Sequence, residues 1–330
     1  MKIAVVGLAF SHPYSYTQIL GRMGHTVSHV WDDDPARLAE FATRFGATPV
    51  SSPEAVPSSG IDGVIVTGRL PERIDHALVF VDRGTPVYLG KPMAADAVQL
   101  SRLSEAVRRT GTPVLTTSVL RYAPAIRSLR RHLDQGRLGT PVAVRCLSAH
   151  SIELYLKEPN IWQDDPARGG GTLITMGIHA LEMLSVLAGY RIRSVWCRIG
   201  RRFHARSLSE DVAVLTIEWA DGLLGTVDIV GAVSGEFYGV EMYGSEAVLS
   251  ASIPKGDVRD HRGASLGDVD PWEEFGYTAT MTAFVDMCRT HDTPVPLEES
   301  EAIMRALLAA RLSAASGHPV SPDTIRTGGR

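Results

Sequence analysis

The sequence has few of the residues that characterise cross-linked or metal-binding proteins. Its 330 residues include only three cysteines, an odd number with no metal-ligand spacing: Cys146, Cys197 and Cys288. Thiols used so sparingly are typical of a reducing compartment, in which they are buried or idle. We therefore expect a cytoplasmic protein.

Long apolar runs and an excess of positive charge are also missing. No stretch reaches the ~20 apolar residues of a membrane span, and residues 3–6 are too few for a signal-peptide core. The net charge is −4, so neither nucleic acid nor an anionic membrane is expected as a partner. The composition, 44% hydrophobic and 21% charged, is that of a globular protein, and the length indicates one or two domains.

The first part of the chain alternates short apolar runs with helical patterns. Asp34-Pro35 is a typical helix start and Gly46 a typical helix end. The alternation predicts an α/β Rossmann domain over residues 1–120, with a doubly wound parallel sheet and ligands at the carboxyl ends of its strands. The predicted strands are residues 3–6, 26–31, 61–67, 86–89 and 113–117.

Residues 121–330 have a different pattern, with longer β-branched runs joined by turns. This pattern predicts an α+β domain with a large open, mostly antiparallel sheet, interrupted by a helix at 172–187. Residues 252–271 are expected to form a loop, and the helices at 278–290 and 299–316 are candidates to pack back on the first domain. An open sheet needs a cover, so we expect a homodimer or homotetramer through this sheet. The predicted strands are residues 142–147, 192–199, 212–219, 224–230 and 238–243.

The turn after the first strand is a candidate cofactor site. A dinucleotide fingerprint has glycines at three places of G-x-G-x-x-G, but here only the first is glycine. Ala9 adds one methyl group, whereas His12 either crowds the helix against the strand or points into the site. The cofactor candidates in this turn are Gly7, Ala9, Phe10 and Ser11.

An acidic cluster at the end of the second strand bears on which cofactor is bound. Asp32 stands where an acid accepts hydrogen bonds from the adenosine ribose, and the less favoured alternative is a solvated turn residue. Asp33 and Asp34 follow, with no arginine adjacent, and Asp34 is best explained as a helix cap. Because this cluster would repel a 2′-phosphate, the sequence favours NAD over NADP.

Two titratable side chains from distant parts of the chain are the catalytic candidates. Lys91 follows the strand at 86–89, and His179 lies in the helix after the glycines at 169–171. An imidazole titrates near neutral pH and can take a hydroxyl proton, while an ammonium can hold a developing alkoxide. We expect a site where two domains meet, suited to moving a proton and, with a cofactor, a hydride.

Several blocks of the sequence, in this order and spacing, are found together in one family. The chain resembles the glucose–fructose oxidoreductase/inositol dehydrogenase (Gfo/Idh/MocA) family over nearly its whole length. The resemblance implies a Rossmann domain followed by an open-sheet domain, and oxidation or reduction of sugars, inositols or related polyols with NAD or NADP. The blocks are Lys91-Pro92, Arg121-Tyr122-Ala123-Pro124, residues 136–139, residues 169–182, Glu210-Asp211 and Ala220-Asp221-Gly222.

The resemblance also implies roles for particular residues. The family lysine near the nicotinamide and the substrate hydroxyl corresponds to Lys91, and the family histidine corresponds to His179. This sequence departs from the pattern at Gly90, where the family has glutamate, at Thr175, where it has aspartate, and in the glycine fingerprint. Glu182 shares a helical face with His179 and is a candidate replacement for the missing charge. Further cofactor candidates are Thr67, Gly90 and Arg121, and further substrate candidates are Tyr122, Trp162 and Thr175.

Several alternatives stay open at this point. Arg121 and Tyr122 either line the nicotinamide side or brace the domain junction, and ordinary packing is an alternative for Trp162. The chain is an NAD-dependent dehydrogenase or reductase, an enzyme without net redox change that holds NAD tightly, or a non-catalytic sugar- or nucleotide-binding protein. Substrate specificity is expected in loops 151–168 and 203–209. No metal site is expected, because the set His150, Glu153, His179 and Glu182 matches no recognised spacing.

Overall fold

The computed structural model describes residues 1–158, 160–254, 256–267, 273 and 275–325. The chain forms two compact units. The first comprises Met1–Thr117 and Tyr277–Ser300, and the second comprises Ser118–Gly276 and the chain from Glu301 onward. The first unit thus includes a segment from near the end of the chain, which the predicted range 1–120 does not contain.

Thirteen strands and eight α-helices are formed by the described residues. In chain order they are β1 (Lys2–Val6), α1 (His12–Arg22), β2 (Thr26–Trp31), α2 (Pro35–Phe45), β3 (Thr48–Pro49), β4 (Gly63–Val66), α3 (Leu70–Val81), β5 (Val87–Leu89), α4 (Ala97–Thr110), β6 (Val114–Thr116), α5 (Pro124–Asp134), β7 (Pro141–His150), α6 (Thr172–Ala188), β8 (Ile192–Gly200), β9 (Val212–Trp219), β10 (Leu224–Val230), β11 (Glu236–Gly244), β12 (Val248–Ile253), β13 (Asp257–Asp260), α7 (Tyr277–Thr290) and α8 (Leu297–Ser316).

The first unit is built on a parallel sheet, which confirms the predicted Rossmann class. The strand order is β3-β2-β1-β4-β5-β6, and every pairing is parallel. All residues of β4, β5 and β6 are buried, as expected for strands covered by helices on both faces. The order reverses between β1 and β4, so the carboxyl ends of these strands form the crevice in which such folds bind ligands.

Local signals fix the helix that follows the acidic cluster. The Asp34 carboxylate accepts hydrogen bonds from the backbone N–H groups of Ala36 (2.8 Å) and Arg37 (3.2 Å). At the other end, Gly46 adopts a left-handed conformation with φ of 68°. The predicted cap and the predicted glycine stop of α2 are therefore both confirmed.

The second unit contains a seven-stranded sheet of order β13-β12-β11-β7-β10-β9-β8, which confirms the predicted large, mostly antiparallel sheet. Its central pair, β7 and β10, is parallel, and the other five pairings are antiparallel, so the sheet is mostly but not entirely antiparallel. The connection between the two strands carries α6, β8 and β9, and apolar periodicity does not encode the direction of such a distant pairing.

The predicted loop at 252–271 is wrong over part of its length. Residues 252 and 253 complete β12, and β13 pairs antiparallel with β12 at the edge of the sheet. The edge strand was hidden because its residues Asp257-Val258-Arg259-Asp260 are mostly charged, which is common at sheet edges. Residues 255 and 268–271 of the predicted loop lie outside the described residues.

The helix α6 covers one face of this sheet and packs on β7, β9, β10 and β11. All of its residues are buried except Val186 and Ala188, as expected for a helix that is apolar on every side. The opposite face of the sheet, here called the open face, presents exposed residues at alternate positions. These are Val214 and Thr216 on β9, Thr226 and Asp228 on β10, Arg145 on β7, and Phe237 and Glu241 on β11.

The three cysteines are buried and unpaired, and burial raises the pKa of each thiol. Within the described part of the chain, none of the helices has the length and apolar character needed to cross a bilayer.

Candidate functional site

The turn after β1 brings the first unit's backbone segments into close contact. Gly7 has φ of 89°, and a Cβ added there would lie 2.2 Å from the backbone nitrogen of Gly68. The Thr67 hydroxyl donates to the Gly7 carbonyl oxygen at 2.7 Å. The first position of the fingerprint therefore has to be glycine, while the buried Ala9 shows that its methyl group is accommodated in the second position.

The residue at the third fingerprint position, His12, belongs to an aromatic cluster. His12 is the first residue of α1 and is half-buried, with Ser11 before it as the N-terminal cap residue. The ring centroid of His12 lies 6.1 Å from that of Phe10, 6.0 Å from that of Tyr16 and 6.1 Å from that of Tyr277. His12 thus packs among other rings of the same unit.

The Asp32 carboxylate holds the turn after β1 in place. It accepts hydrogen bonds from the backbone N–H of Leu8 at 2.6 Å and from that of Asp34 at 2.9 Å. The side chain is only 2% exposed. Asp32 therefore joins the end of β2 to the turn after β1. The neighbouring Asp33 carboxylate is more exposed to solvent.

The expectation that no arginine neighbours the acidic cluster is wrong in space. Arg37, on the first turn of α2, lies 2.7 Å from Asp32, 3.1 Å from Asp33 and 3.1 Å from Asp34. Arg69, from the segment after β4, forms an ion pair with Asp33. Folding brings both arginines to the end of β2, which sequence adjacency did not reveal.

A pocket of about 240 Å³ opens at the carboxyl ends of β1, β2 and β4. Three carboxylates and one arginine are among its lining residues. The Trp31 and His76 rings meet edge to face in it, with centroids 4.8 Å apart, and burial lowers the pKa of His76, which keeps this ring neutral at pH 7. The lining residues are Gly7, Ala9, Trp31, Asp32, Asp33, Gly68, Arg69, Glu72 and His76.

A buried arginine fixes the segment that carries Lys91. The Arg73 Nη1 donates to the carbonyl oxygens of Gly90 (2.6 Å), Lys91 (3.0 Å) and Pro92 (3.1 Å), and its Nε donates to that of Gly68 (2.9 Å). Burial lowers the pKa of Arg73 to about 10, so the guanidinium stays charged at neutral pH. It anchors Lys91 through the main chain, and sequence reasoning missed this residue.

In the second unit, α6 presents the predicted substrate residues. The Ser118 Oγ lies 2.6 Å from the His179 Nδ1. The Thr175 hydroxyl donates to the Gly171 carbonyl oxygen at 2.9 Å, which commits its proton to the helix backbone. Leu173, in the first turn, donates its backbone N–H to the carboxylate of Glu210. Burial raises the pKa of this carboxyl group.

The candidate replacement charge, Glu182, is neutralised by a partner. Its Oε2 accepts from the Arg121 Nη1 at 3.0 Å, with the two side chains 3% and 12% exposed. Arg121 also donates to the Ser185 hydroxyl at 3.2 Å. Arg121 therefore braces α6, while the neighbouring Tyr122 is half-buried.

Aromatic rings from two strands surround His179. The centroid of Tyr238 on β11 lies 5.7 Å from that of His179, and the centroid of His150 on β7 lies 6.4 Å from it. Tyr155 lies 5.7 Å from His150, and Trp162 is 2% exposed. Sequence reasoning missed Tyr238 as a site residue, because only the folded chain shows that β11 pairs with the end of β7.

The two loops expected to set substrate specificity are joined by one buried carboxylate. Asp164, 4% exposed, accepts hydrogen bonds from the hydroxyl of Ser209 (2.8 Å), the backbone N–H of Leu208 (2.7 Å) and the hydroxyl of Ser207 (2.5 Å). Each loop therefore restrains the other. Among the residues that the structure describes, no three His, Cys, Asp or Glu side chains are grouped to hold a metal ion.

Comparison with known proteins assigns both halves of the chain. Residues 1–118 match the model of an oxidoreductase family with an NAD-binding Rossmann fold, and residues 126–250 match the model of the Gfo/Idh/MocA C-terminal domain. The chain belongs to the Gfo/Idh/MocA oxidoreductase family. Membership in this family agrees with the two kinds of sheet described above.

The chain is similar over most of its length to several named proteins. Inositol 2-dehydrogenase 2 of Saccharopolyspora erythraea is 29% identical over 263 residues, which cover 77% of this chain and 74% of that protein. Trans-1,2-dihydrobenzene-1,2-diol dehydrogenase of Sus scrofa is 25% identical and covers 84% and 83%. The crystal structure of GenD2 from gentamicin A biosynthesis, in complex with NAD, superposes with a TM-score of 0.85 at 26% identity, covering 97% of this chain and 96% of GenD2.

Proposed function

We propose that this chain is an NAD-dependent dehydrogenase or reductase that transfers a hydride between the nicotinamide and a hydroxyl or carbonyl group of a sugar, inositol or related polyol. The observation that carries the proposal is the glycine turn and acidic pocket at the ends of β1, β2 and β4, which suits the adenosine half of a dinucleotide. The similarity to an inositol dehydrogenase supports the substrate class. The buried, unpaired cysteines support a cytoplasmic location.

The residues of the first unit fit the cofactor. The approach of Gly7 to Gly68 leaves the backbone open where any Cβ would fill the space. Ala9, Phe10, Ser11, Thr67 and Gly90 are the further residues that we assign to cofactor binding. NAD is preferred over NADP in this proposal because, even with Arg69 in the pocket and Arg37 beside it, the carboxylates outnumber the arginines.

Lys91 and His179 carry the chemistry in this proposal. A bound nicotinamide supplies the group that accepts or donates the hydride. The His179 imidazole takes the substrate hydroxyl proton during oxidation and returns it during reduction. The Lys91 ammonium stabilises the alkoxide that develops as the proton leaves. Tyr122, Trp162 and Thr175 are assigned to the substrate side, and Arg121 to the bracing of α6.

Titration with NADH and, separately, NADPH, followed by a panel of inositols and sugars with NAD, tests this function. NADH should bind at least about tenfold more tightly than NADPH, which corresponds to about 1.4 kcal/mol of repulsion of the 2′-phosphate. Asp33→Asn, which releases Arg69, should narrow that ratio, whereas Asp75→Asn on the exposed side of α3 should not. At least one polyol should reduce NAD.

The opposite results would each overturn a different part of the proposal. Failure to bind either nucleotide would favour a non-catalytic protein. Bound NAD that survives purification, and turnover without net accumulation of NADH, would favour an enzyme with no net redox change. Equal affinity for NADH and NADPH would contradict the electrostatic argument.

We also propose that the open face joins two copies of this chain in a homodimer, or a homotetramer built from such dimers. Thr226 lies near its centre, opposite Thr216 on β9 and Arg145 on β7. A row of small and apolar residues crosses the same face through Val212, Val230, Ala149 and Phe237. A sheet face of this kind is suited to self-association once water is removed.

Thr226→Arg should weaken that association by about tenfold or more, since like charges brought together across an interface cost several kcal/mol. Light scattering coupled to size-exclusion chromatography measures the mass. Thr290→Arg, at an exposed position at the end of α7, is the matched control. A wild-type monomer, or a Thr226→Arg protein with unchanged mass at all concentrations, would rule out this interface.

A further inference from the structure

The hydroxyl of Ser118 contacts one of the two ring nitrogens of His179. Its Oγ lies 2.6 Å from the Nδ1, and the contact joins residues 61 positions apart. Ser118 is fully buried and His179 is 7% exposed. A short polar contact shielded from water fixes both the position and the orientation of an imidazole ring.

Ser118 is itself held by the backbone. Its Oγ accepts the N–H of Leu120 at 3.1 Å, where it caps the short 3₁₀ turn Val119–Tyr122. A hydroxyl oxygen has two lone pairs, so it can accept this bond and a second one from the imidazole. The bond from the Leu120 N–H therefore fixes the position of the Oγ independently of the His179 ring.

This arrangement leads to an assignment that rests on the proposed function. We propose that Ser118 is the positioning residue of His179, which accepts the Nδ1–H and leaves Nε2 as the nitrogen that exchanges a proton with the substrate. For Nε2 to accept a proton, the neutral ring must carry its hydrogen on Nδ1, and there it donates to the Ser118 oxygen. The same bond persists when Nε2 is protonated, so the ring keeps its orientation through the reaction.

The neighbouring residue that would have supplied a carboxylate does not do so in this chain. Thr175, one turn before His179, is neutral and donates its hydroxyl proton to Gly171. Titratable groups near the imidazole include His150 and Tyr238, and Glu182 lies three residues further along α6. Glu182 is paired with Arg121, and Tyr238 donates to Glu236 at 2.6 Å. The partner of the His179 Nδ1 is therefore a neutral group, which favours the charged imidazolium less than a carboxylate would.

Ser118→Ala tests the assignment with little change in volume. It should lower kcat about 10- to 100-fold, part of the 10²–10⁴ that a general base contributes, with KM changed less than about threefold. Ser148→Ala is the matched control, because Ser148 is fully buried and donates to the backbone of α6 at Met176 (3.2 Å). It should leave kcat within about twofold of wild type.

Thr175→Asp is the complementary test, because it adds a charged group near the His179 ring where Ser118→Ala removes a neutral one. A carboxylate within reach of the ring should raise the apparent pKa of the kcat/KM profile by about one unit or more, which moves the rise in oxidation rate to higher pH. Ser118→Ala should broaden or shift the rise of the kcat/KM profile with pH, whereas Ser148→Ala should leave this rise unchanged.

Nitrogen-15 NMR of the His179 ring separates this assignment from the proposed function, because it does not need turnover. Wild type and Ser148→Ala should show the hydrogen on Nδ1 in the neutral form, and Ser118→Ala should show a mixture of the two tautomers. A wild type without turnover would defeat the proposed function and leave this reading intact. Identical tautomers, kcat values and pH profiles in Ser118→Ala and Ser148→Ala would overturn the assignment of Ser118.

Discussion

Replacing Lys91 by methionine should lower kcat for a polyol about 10²- to 10³-fold, because the alkoxide then loses the positive charge that stabilises it. Methionine keeps most of the aliphatic length of lysine, and the Arg73 bonds reach main-chain carbonyls that the substitution leaves unchanged. The segment should therefore stay in place, and the affinity for NADH should change by less than about threefold. Steady-state kinetics and an NADH titration measure the two effects.

A control with the same loss of charge is available in the same unit. Lys2 is exposed at the start of β1, so Lys2→Met should leave kcat unchanged. Turnover of Lys91→Met within about threefold of wild type on a true substrate would remove Lys91 from the chemistry. A loss of NADH binding in proportion to the loss of kcat would make it a cofactor ligand only.

Gly7→Ala should lower the free energy of unfolding by about 3 kcal/mol or more and abolish measurable NADH binding. The new methyl group would meet the Gly68 backbone nitrogen at 2.2 Å and Cα at 2.3 Å, at a residue whose φ of 89° already disfavours a side chain. Relief requires the turn after β1 to move away from the segment after β4. Urea denaturation and fluorescence titration with NADH measure these effects.

Gly24→Ala isolates the cost of the backbone conformation. Gly24 has φ of 79°, but a Cβ added there has no atom within 4 Å. This variant should lose only about 1 kcal/mol of stability and keep its NADH affinity. Equal losses in the two variants would show that the close approach of Gly7 to Gly68 contributes nothing.

The parallel sheet of the first unit could be predicted because its signals are local. The Asp34 cap and the Gly46 stop each act within a few residues, and the strands between such helices are nearly continuous apolar runs. The second sheet was predicted as a class, but the parallel pairing of β7 with β10 was not. Alternation along a strand reports which face is buried and is the same for either direction of its neighbour.

The site residues, too, could be predicted where the signal was local and were missed where it depended on a distant partner. Gly7, Lys91 and His179 stand out because each follows a recognisable strand or glycine run. Arg69 and Ser118 do not, because their partners lie 36 and 61 residues away along the chain. Arginines and serines are too common for their types alone to indicate a site, so only the folded chain shows which carboxylate or imidazole each one meets.

The Arg73 anchor has a consequence for how this sequence can diverge. Its four acceptors are main-chain carbonyls, and such contacts do not depend on which side chains the anchored residues carry. A Cβ at residue 90 would come no closer than 3.4 Å to its neighbours, so that position accepts glycine or a larger residue. Substitutions of the residue beside Lys91 can therefore accumulate without moving the lysine. The residue at which substitution is constrained is Arg73, which holds the segment.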